Sequence, residues 1–440
     1  MIISFTVKNY RSFKDEAVFS MEASSSKGKL DNVAEVITKN GKKFKLLKSA
    51  VIYGANASGK SNVIRAYWTF RQLISSSFRY DVNDEILLAE PFQLSQETEN
   101  LPCEFALNFI GWDKQQYIYS VSISRNEGIV EETLKYYPSK TAKLIYRRRG
   151  RKITSKNAEF FKGKFNLVDI NPKRLLLSEL GNSGNLFWEE LRNYFLIGTI
   201  AINSSASGSI TRLTENSKRI FDSNDEDAIA IRNKIIKLVK ISDLGIKDLD
   251  LQEDIAVVKA DNSDLINNDE SYSDIRKEKR FKTSHNVYAS NELVGKKQFD
   301  LIKQGSTGTV AIVGLSAEIL VSLAMRDGRL IWIDEIDNSL HPYLCRFLIS
   351  LFNHPKSNPN NSQLIFATHE TTLLDRKNFR KDQIWITSKD KFGVSKLYSV
   401  HDLDIEGLRD DVPFDKWYMS GKFGGLPKIK ELDFIFDRLD

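Results

Sequence analysis

Apolar and polar positions alternate at the start of the chain. "MIISFTVKNYRSF" has the two-residue period of a strand, and "AVFSMEA" and "FKLLKSAVIYG" continue a β-rich reading of residues 1–60. "SNVIRAYWTFRQLI" then takes on the period of an amphipathic helix that runs to about Phe78. Residues 91–146 return to strands, "CEFALNFIG", "QYIYSVSIS", "EETLKYYP" and "AKLIYRRR", expected as hairpins of a mixed sheet. From 172 to 240 the pattern is helical: "KRLLLSELG", "LFWEELRNYF" and "AIAIRNKIIKLVK". "NNDESYSDIRKEKR", 267–280, is highly charged with little to bury, and reads as a loop. Regular β/α alternation resumes near residue 300. No repeats or sustained heptads appear. The expected class is α/β, in three stretches: an N-terminal lobe over 1–150, a mostly helical insert over 151–295 and a C-terminal lobe over 296–440.

Composition narrows this only a little. A chain of 440 residues exceeds one ordinary core, so two lobes are expected. Charged residues are 28% and aromatics 11%, a globular balance. The net charge of +6 is spread over 64 basic and 58 acidic residues, compatible with nucleic acid or with an ordinary solvated surface. Cys103 and Cys345 form no ligand cluster in sequence, which points to a reducing cytoplasm. No apolar run reaches about 18–20 residues, so no membrane span is expected. The start lacks the features of a signal peptide.

The chemistry is concentrated in four segments. In "VIYGANASGKSN", Gly54, Gly59, Lys60 and Ser61 match G-x-x-x-x-G-K-[ST], with a buried strand before and a helix after. The backbone of Gly54, Ala55, Asn56, Ala57, Ser58 and Gly59, leading into Asn62, would wrap a phosphate at a helix N-terminus. Lys60 would reach the β- and γ-phosphates, and Ser61 would ligate Mg²⁺. In "GRLIWIDEIDNSLHP", an apolar strand ends in Asp334 and Glu335. Asp334 would hold the metal, and Glu335 would polarise an attacking water. "QLIFATHE" ends a further strand at Thr368 and His369, placed to sense a γ-phosphate if that strand adjoins the carboxylate strand. "KQGSTGTVAIVGLSAEILVSLA" opens an apolar helix at Ser306 and Gly308. That start is either ordinary capping by Ser306 or Thr307, or a signature segment facing a nucleotide on a second subunit. The basic run "RRRGRKITSK", 147–156, reads as a hairpin tip or a nucleic-acid contact.

Phosphate loop, long insert, Ser-x-Gly helix start, Asp-Glu strand and strand-Thr-His occur here in that order. This resembles ABC-type ATPases of the SMC, RecF and OLD class. "VKNYRSF" at 7–13 strengthens the likeness, and by it Arg11 and Ser12 lie near the nucleotide, while "DNSLHP" stands where that class has its D-loop. "WYMSGKFGGLPKI", 417–429, resembles the ending of a bacterial subgroup of AAA-15, RloA-like ATPases found in anti-phage operons. The resemblance implies ATP and Mg²⁺ as ligands and a homodimer or larger assembly as the working state. It also implies a separate effector, a nuclease among the candidates, as partner. A DNA-repair ATPase and a non-hydrolysing scaffold are the rival readings.

Three departures qualify it. The signature carries no glutamine after Gly308, and Gln93 in "PFQLSQ" is the candidate for the metal-associated Q-loop. About 245 residues separate Lys60 from Ser306 without heptads, which argues against a long coiled coil. Asp402 and Asp404 suggest a nuclease pair, but about 36 residues follow them, against the order of 100 that such a domain needs, so surface or capping roles are expected.

Overall fold

The computed structural model describes residues 1–162, 167, 169–203, 208–242, 245–259, 273–403 and 413–427. In chain order these form β1 Ile2–Lys8, β2 Ala17–Ser20, β3 Val33–Ile37, β4 Lys43–Leu47 and β5 Ser49–Gly54, then α1 Lys60–Ser76. A run of strands follows: β6 Cys103–Ile110, β7 Gln116–Ser124, β8 Gly128–Tyr136, β9 Lys143–Arg149 and β10 Lys152–Lys156. Next come α2 Leu176–Leu180, α3 Leu186–Leu196, β11 Thr199–Asn203, α4 Ser209–Asp222 and α5 Glu226–Ser242. Strands β12 Ile246–Lys259, β13 Ser273–Ala289 and β14 Glu292–Asp300 precede α6 Leu301–Gln304 and α7 Thr307–Ala324. The chain continues through β15 Leu330–Asp334, α8 Pro342–Asn353, β16 Gln363–Ala367, β17 Ile384–Lys389, β18 Ser395–Ser399 and α9 Phe414–Met419.

The described residues divide into two compact units. One comprises Met1–Ser204, Ser322–Asp337 and Cys345–Asp440; the other comprises Ser205–Val321 and Asn338–Leu344. These limits differ from boundaries at 150 and 295, because residues 151–203 pack with the first unit.

The first unit is built on two sheets. The core sheet has the order β11-β15-β16-β5-β17-β18, parallel throughout except for β18. Strands β5, β15 and β16 are buried along their whole lengths, which explains their unbroken apolar runs. The other sheet, β10-β9-β8-β7-β6-β1-β2, is antiparallel at every pairing, so the expected mixed sheet is corrected. There β6 and β7 alternate, with Phe105, Leu107, Tyr119 and Val121 turned into the core. Helix α1 presents Val63, Ile64, Tyr67, Phe70, Leu73 and Ile74 to the same core, at helical spacing. Tyr67 stacks on Trp332 of β15 with ring centroids 4.9 Å apart, and Phe5 of β1 meets both rings edge-on. Each such buried ring contributes roughly 1.5–3 kcal/mol through burial, which holds α1 and β15 in fixed register.

Strand β11 was hidden in the sequence between helices. Its "TIAIN" is too short to establish a period, and its place at the sheet edge comes from pairing with β15.

The second unit is less helical than the pattern predicts. Beside α4 and α5 it holds the sheet β12-β13-β14. Residues 273–280 belong to β13, correcting the expected loop; 267–272 lie outside the described residues. The strand is held by Phe281, which is buried against Phe221, and by charge opposite charge. Lys277 pairs with Glu253, Lys282 with Asp254 at 2.7 Å, and Lys279 with Asp222. Among the described residues, α7 is long and apolar enough to cross a membrane by length and composition, contrary to the expectation that no run qualifies; 67% of it is buried within the protein.

Candidate active site

Because β5, β15 and β16 run parallel, their carboxyl ends share one edge of the core sheet. Gly54 ends β5, Asp334 ends β15 and Thr368-His369 follows β16. The expected adjacency of the carboxylate and histidine strands is met directly, since β15 pairs with β16.

The loop after β5 is locked from outside. A Cβ on Gly54 would stand 2.4 Å from the Thr387 carbonyl, so only glycine lets β17 approach so closely. Ser58 Oγ and Thr387 Oγ1 are hydrogen-bonded at 2.6 Å, and Ser395 Oγ donates to the Ser58 carbonyl at 2.7 Å. Asn62 Nδ2 donates to Ser12 Oγ at 2.7 Å, and the Ser395 amide to the Ser12 carbonyl at 2.7 Å. Ala55 is half-buried, while Asn56, Ala57 and Ser61 are exposed. Lys60 is 5% exposed and turns back on its own loop, donating to the carbonyls of Gly54 and Ala55 at 2.8 and 3.1 Å. Burial lowers its pKa to about 8, although Asp334, Glu335 and Asp337 oppose the shift.

Asp334 is buried, and burial raises its pKa, as does Glu335; a hydrogen bond with Ser61 and the charges of Lys60 and Arg65 act the other way. Ser61 and Asp334 thus meet. A hydroxyl and a carboxylate are hard oxygen donors of the kind that suit Mg²⁺, so the pair fits that ion. Among the described residues no three His, Cys, Asp or Glu side chains cluster as a metal site. A cation here therefore draws its remaining ligands from water and phosphate. Glu335 leaves β15 with φ 53°, a left-handed turn that ends the strand at the carboxylates. His369 is exposed. Partial desolvation and then the Lys60 cation lower its pKa, against Asp337 and Glu335. Lys60, Ser61, Asp334, Glu335 and His369 form one electrostatically linked group. It can hold a phosphate, a cation and a polarised water together.

The other expected residues are placed as follows. Arg11 pairs with Glu90 at 2.7 Å and reaches Asn62 Oδ1 at 3.5 Å, beside the first turn of α1. Gln93 is exposed and donates to the Pro91 carbonyl at 3.2 Å, with no described contact to Ser61 or Asp334. In the second unit, Ser306 Oγ accepts from the Thr309 amide at 3.1 Å, so it does cap α7. A Cβ on Gly308 would stand 2.7 Å from the Ser339 carbonyl, which brings the helix start against "DNSLHP". Asp402 is exposed in the short turn Val400–Asp402, and Asp404 lies outside the described residues.

The basic run is spent on internal pairing. Arg148 is fully buried against Glu132, Arg147 and Arg149 pair with Glu131, and Arg151 pairs with Asp169. Thr387, Ser395 and Tyr418, which surround the phosphate loop, were not singled out for it: Thr387 and Ser395 come from β17 and β18, and Tyr418 from the 417–429 segment.

A family model described as "AAA domain, putative AbiEii toxin, Type IV TA system" matches residues 49–375. No curated protein matches the chain. Among solved structures, the SMC head domain from Thermotoga maritima is similar at 13% identity, covering 92% of this chain and 99% of its own, with a TM-score of 0.40. The recombination mediator protein RecF with ATP, of the RecFOR pathway, is similar at 12% identity, covering 83% and 93%, with a TM-score of 0.34.

Proposed function

The chain belongs to this AAA-domain family, and on that premise we propose that it is an ATP-binding and ATP-hydrolysing switch. The observation that carries the reading is the gathering of Lys60, Ser61, Asp334, Glu335 and His369 at one edge of the core sheet. The loop amides and the start of α1 cradle the phosphates. Lys60 exchanges the carbonyls of Gly54 and Ala55 for phosphate oxygens, whose negative charge favours the ammonium form against burial. Ser61 and Asp334 would hold Mg²⁺, which would supply charge neutralisation on the phosphates. Glu335 accepts the proton of the attacking water, and His369 hydrogen-bonds the γ-phosphate. Arg11 steadies the first turn of α1 through Asn62.

Ser306 and Gly308 act on the nucleotide of a second protomer, so closure depends on the γ-phosphate and hydrolysis reverses it. The output is control of a separate effector in a bacterial anti-phage system of the RloA-like kind, in the cytoplasm. Arg148, buried against Glu132, is withdrawn from any DNA contact, which weakens the DNA-repair reading, while Arg147, Arg149 and Arg151 pair with carboxylates and keep exposed side chains. Glu335→Gln tests the proposal. It should keep ATP affinity, lose hydrolysis at least about a hundredfold and accumulate an ATP-dependent dimer in light scattering. Hydrolysis at the wild-type rate would remove Glu335 as the base, and a wild type without Mg²⁺-dependent hydrolysis would leave a scaffold.

A further inference from the structure

The ending "WYMSGKFGG" is not used by any step above. Helix α9 and the turn after it bury Phe414, Trp417, Tyr418 and Phe423 against the first unit. The turn closes through hydrogen bonds from the Gly421 amide to the Tyr418 carbonyl at 2.9 Å, and from Lys422 to Trp417 at 3.1 Å. It delivers Gly425 to the phosphate loop. A Cβ there would stand 2.6 Å from Ile386 Cγ2, 3.2 Å from the Thr387 carbonyl and 3.4 Å from Gly54 Cα.

Tyr418 joins the same point. Its hydroxyl donates to the Gly425 carbonyl at 3.4 Å and is hydrogen-bonded by the Gly54 backbone. Its ring lies 5.5 Å from that of Tyr53, the residue before Gly54. A second anchor reaches the segment after His369. Tyr53 donates from its hydroxyl to the Glu370 carbonyl at 2.9 Å, and Arg376 lies 4.5 Å over the Phe414 ring. The turn is fixed in addition by Tyr398, which donates to the Phe423 carbonyl at 3.0 Å.

We propose that Phe414–Gly425 is a strap that positions the phosphate loop, with Tyr418 and Gly425 as positioning residues for nucleotide binding. The proposal rests on the nucleotide reading of residues 51–62. Backbone amides hold a phosphate only if they already point at it, because reorienting them on binding subtracts from affinity. Gly54 opens that loop, and Tyr418 and Gly425 contact it there. They do so with one hydroxyl and one bare Cα, neither of which fills much volume.

A set of single substitutions tests this with a fluorescent ATP analogue and Mg²⁺. Gly425→Ala should weaken binding roughly tenfold, because its new methyl must displace Ile386 or the loop. Tyr418→Phe removes one oxygen and should weaken binding about threefold or more, which keeps the test open if Gly425→Ala fails to fold. Gly41→Ala is the control. Gly41 has φ 82° against 73° for Gly425, so the backbone strain is alike, but its Cβ would meet nothing within 4 Å and it lies outside the strap. It should bind within about twofold of wild type while its nucleotide-free melting temperature falls. If Lys60→Ala abolishes binding while Gly425→Ala and Tyr418→Phe bind like wild type, the strap has no such role. An equal loss of affinity in Gly41→Ala and Gly425→Ala would overturn it as well. If Lys60→Ala itself binds normally, the nucleotide reading falls, and the strap proposal with it.

Discussion

Lys60 Nζ donates to the carbonyl of Gly54, six residues back, across 2.8 Å. The ammonium is buried in the mouth of its own loop with carbonyls, not a full counter-charge, as its bonded partners. Burial and these neutral partners together leave the ammonium less stabilised than it is in water.

A pH dependence follows. Burial brings the Lys60 pKa from 10.5 to about 8, so the free protein loses the charge above about pH 8. The unfolded chain keeps it to 10.5, so this residue's contribution makes stability rise with pH between about 8 and 10.5. Bound triphosphate favours the ammonium, so ATP binding takes up a proton in that range. Affinity should be level near neutral pH and fall by up to about tenfold per unit above about 8. Calorimetry in buffers of different ionisation enthalpy should find about half a proton taken up per ATP at pH 8. An unchanged affinity from pH 7 to 9.5, with no uptake, would contradict the buried-cation description.

Stability of the antiparallel sheet should depend on Glu132. Its carboxylate is fully buried and accepts from Tyr119 at 2.8 Å, Tyr146 at 2.6 Å, and the amides of Leu176 and Leu177 at 2.8 and 3.1 Å. Arg148 completes the cluster and donates on to the Asn171 carbonyl at 2.7 Å. Glu132→Ala leaves a buried guanidinium without its counter-charge and should destabilise by about 3–5 kcal/mol in urea unfolding. A loss under about 1 kcal/mol would mean that the cluster relaxes or admits water.

Much of the candidate site's layout was legible because its signals are local. A glycine-framed Lys-Ser after a buried strand, and carboxylates after another, need only spacing to be recognised. The neighbours of that loop were not legible, because Thr387, Ser395 and Tyr418 come from segments over 300 residues away and meet it only through sheet order. The basic run forms the β9–β10 hairpin, as one of its two readings had it, but which arginine turns inward was not legible. Three consecutive arginines look like a surface for phosphate, but the pleat turns Arg148 inward to Glu132 and leaves its neighbours beside Glu131. Strand β13 was missed because charged residues crowd the stretch before its buried Phe281, which a reading based on apolar periodicity cannot register.

The proposal that Ser306 acts on a neighbour's nucleotide has a test that needs no structure of the dimer. Ser306 caps α7 in the second unit, and Gly308 beside it leaves no room for a side chain against Ser339. Ser306→Arg places a bulky cation at this helix start and should block hydrolysis while each monomer still binds ATP. Lys60→Ala should fail at the other half of the site. In a dimer of the two variants, one composite site carries both lesions and the other carries neither. Hydrolysis should therefore return to roughly a quarter of the wild-type rate per protomer in an equal mixture, since half of the dimers are mixed and each has one intact site of two. Exchange of subunits is verified independently by tagging one variant. If the subunits exchange and single-turnover cleavage stays absent in the mixed dimer, Ser306 does not serve the partner's site. The sign of the result depends only on which chain supplies each motif, so loss of α7 capping in Ser306→Arg cannot imitate rescue.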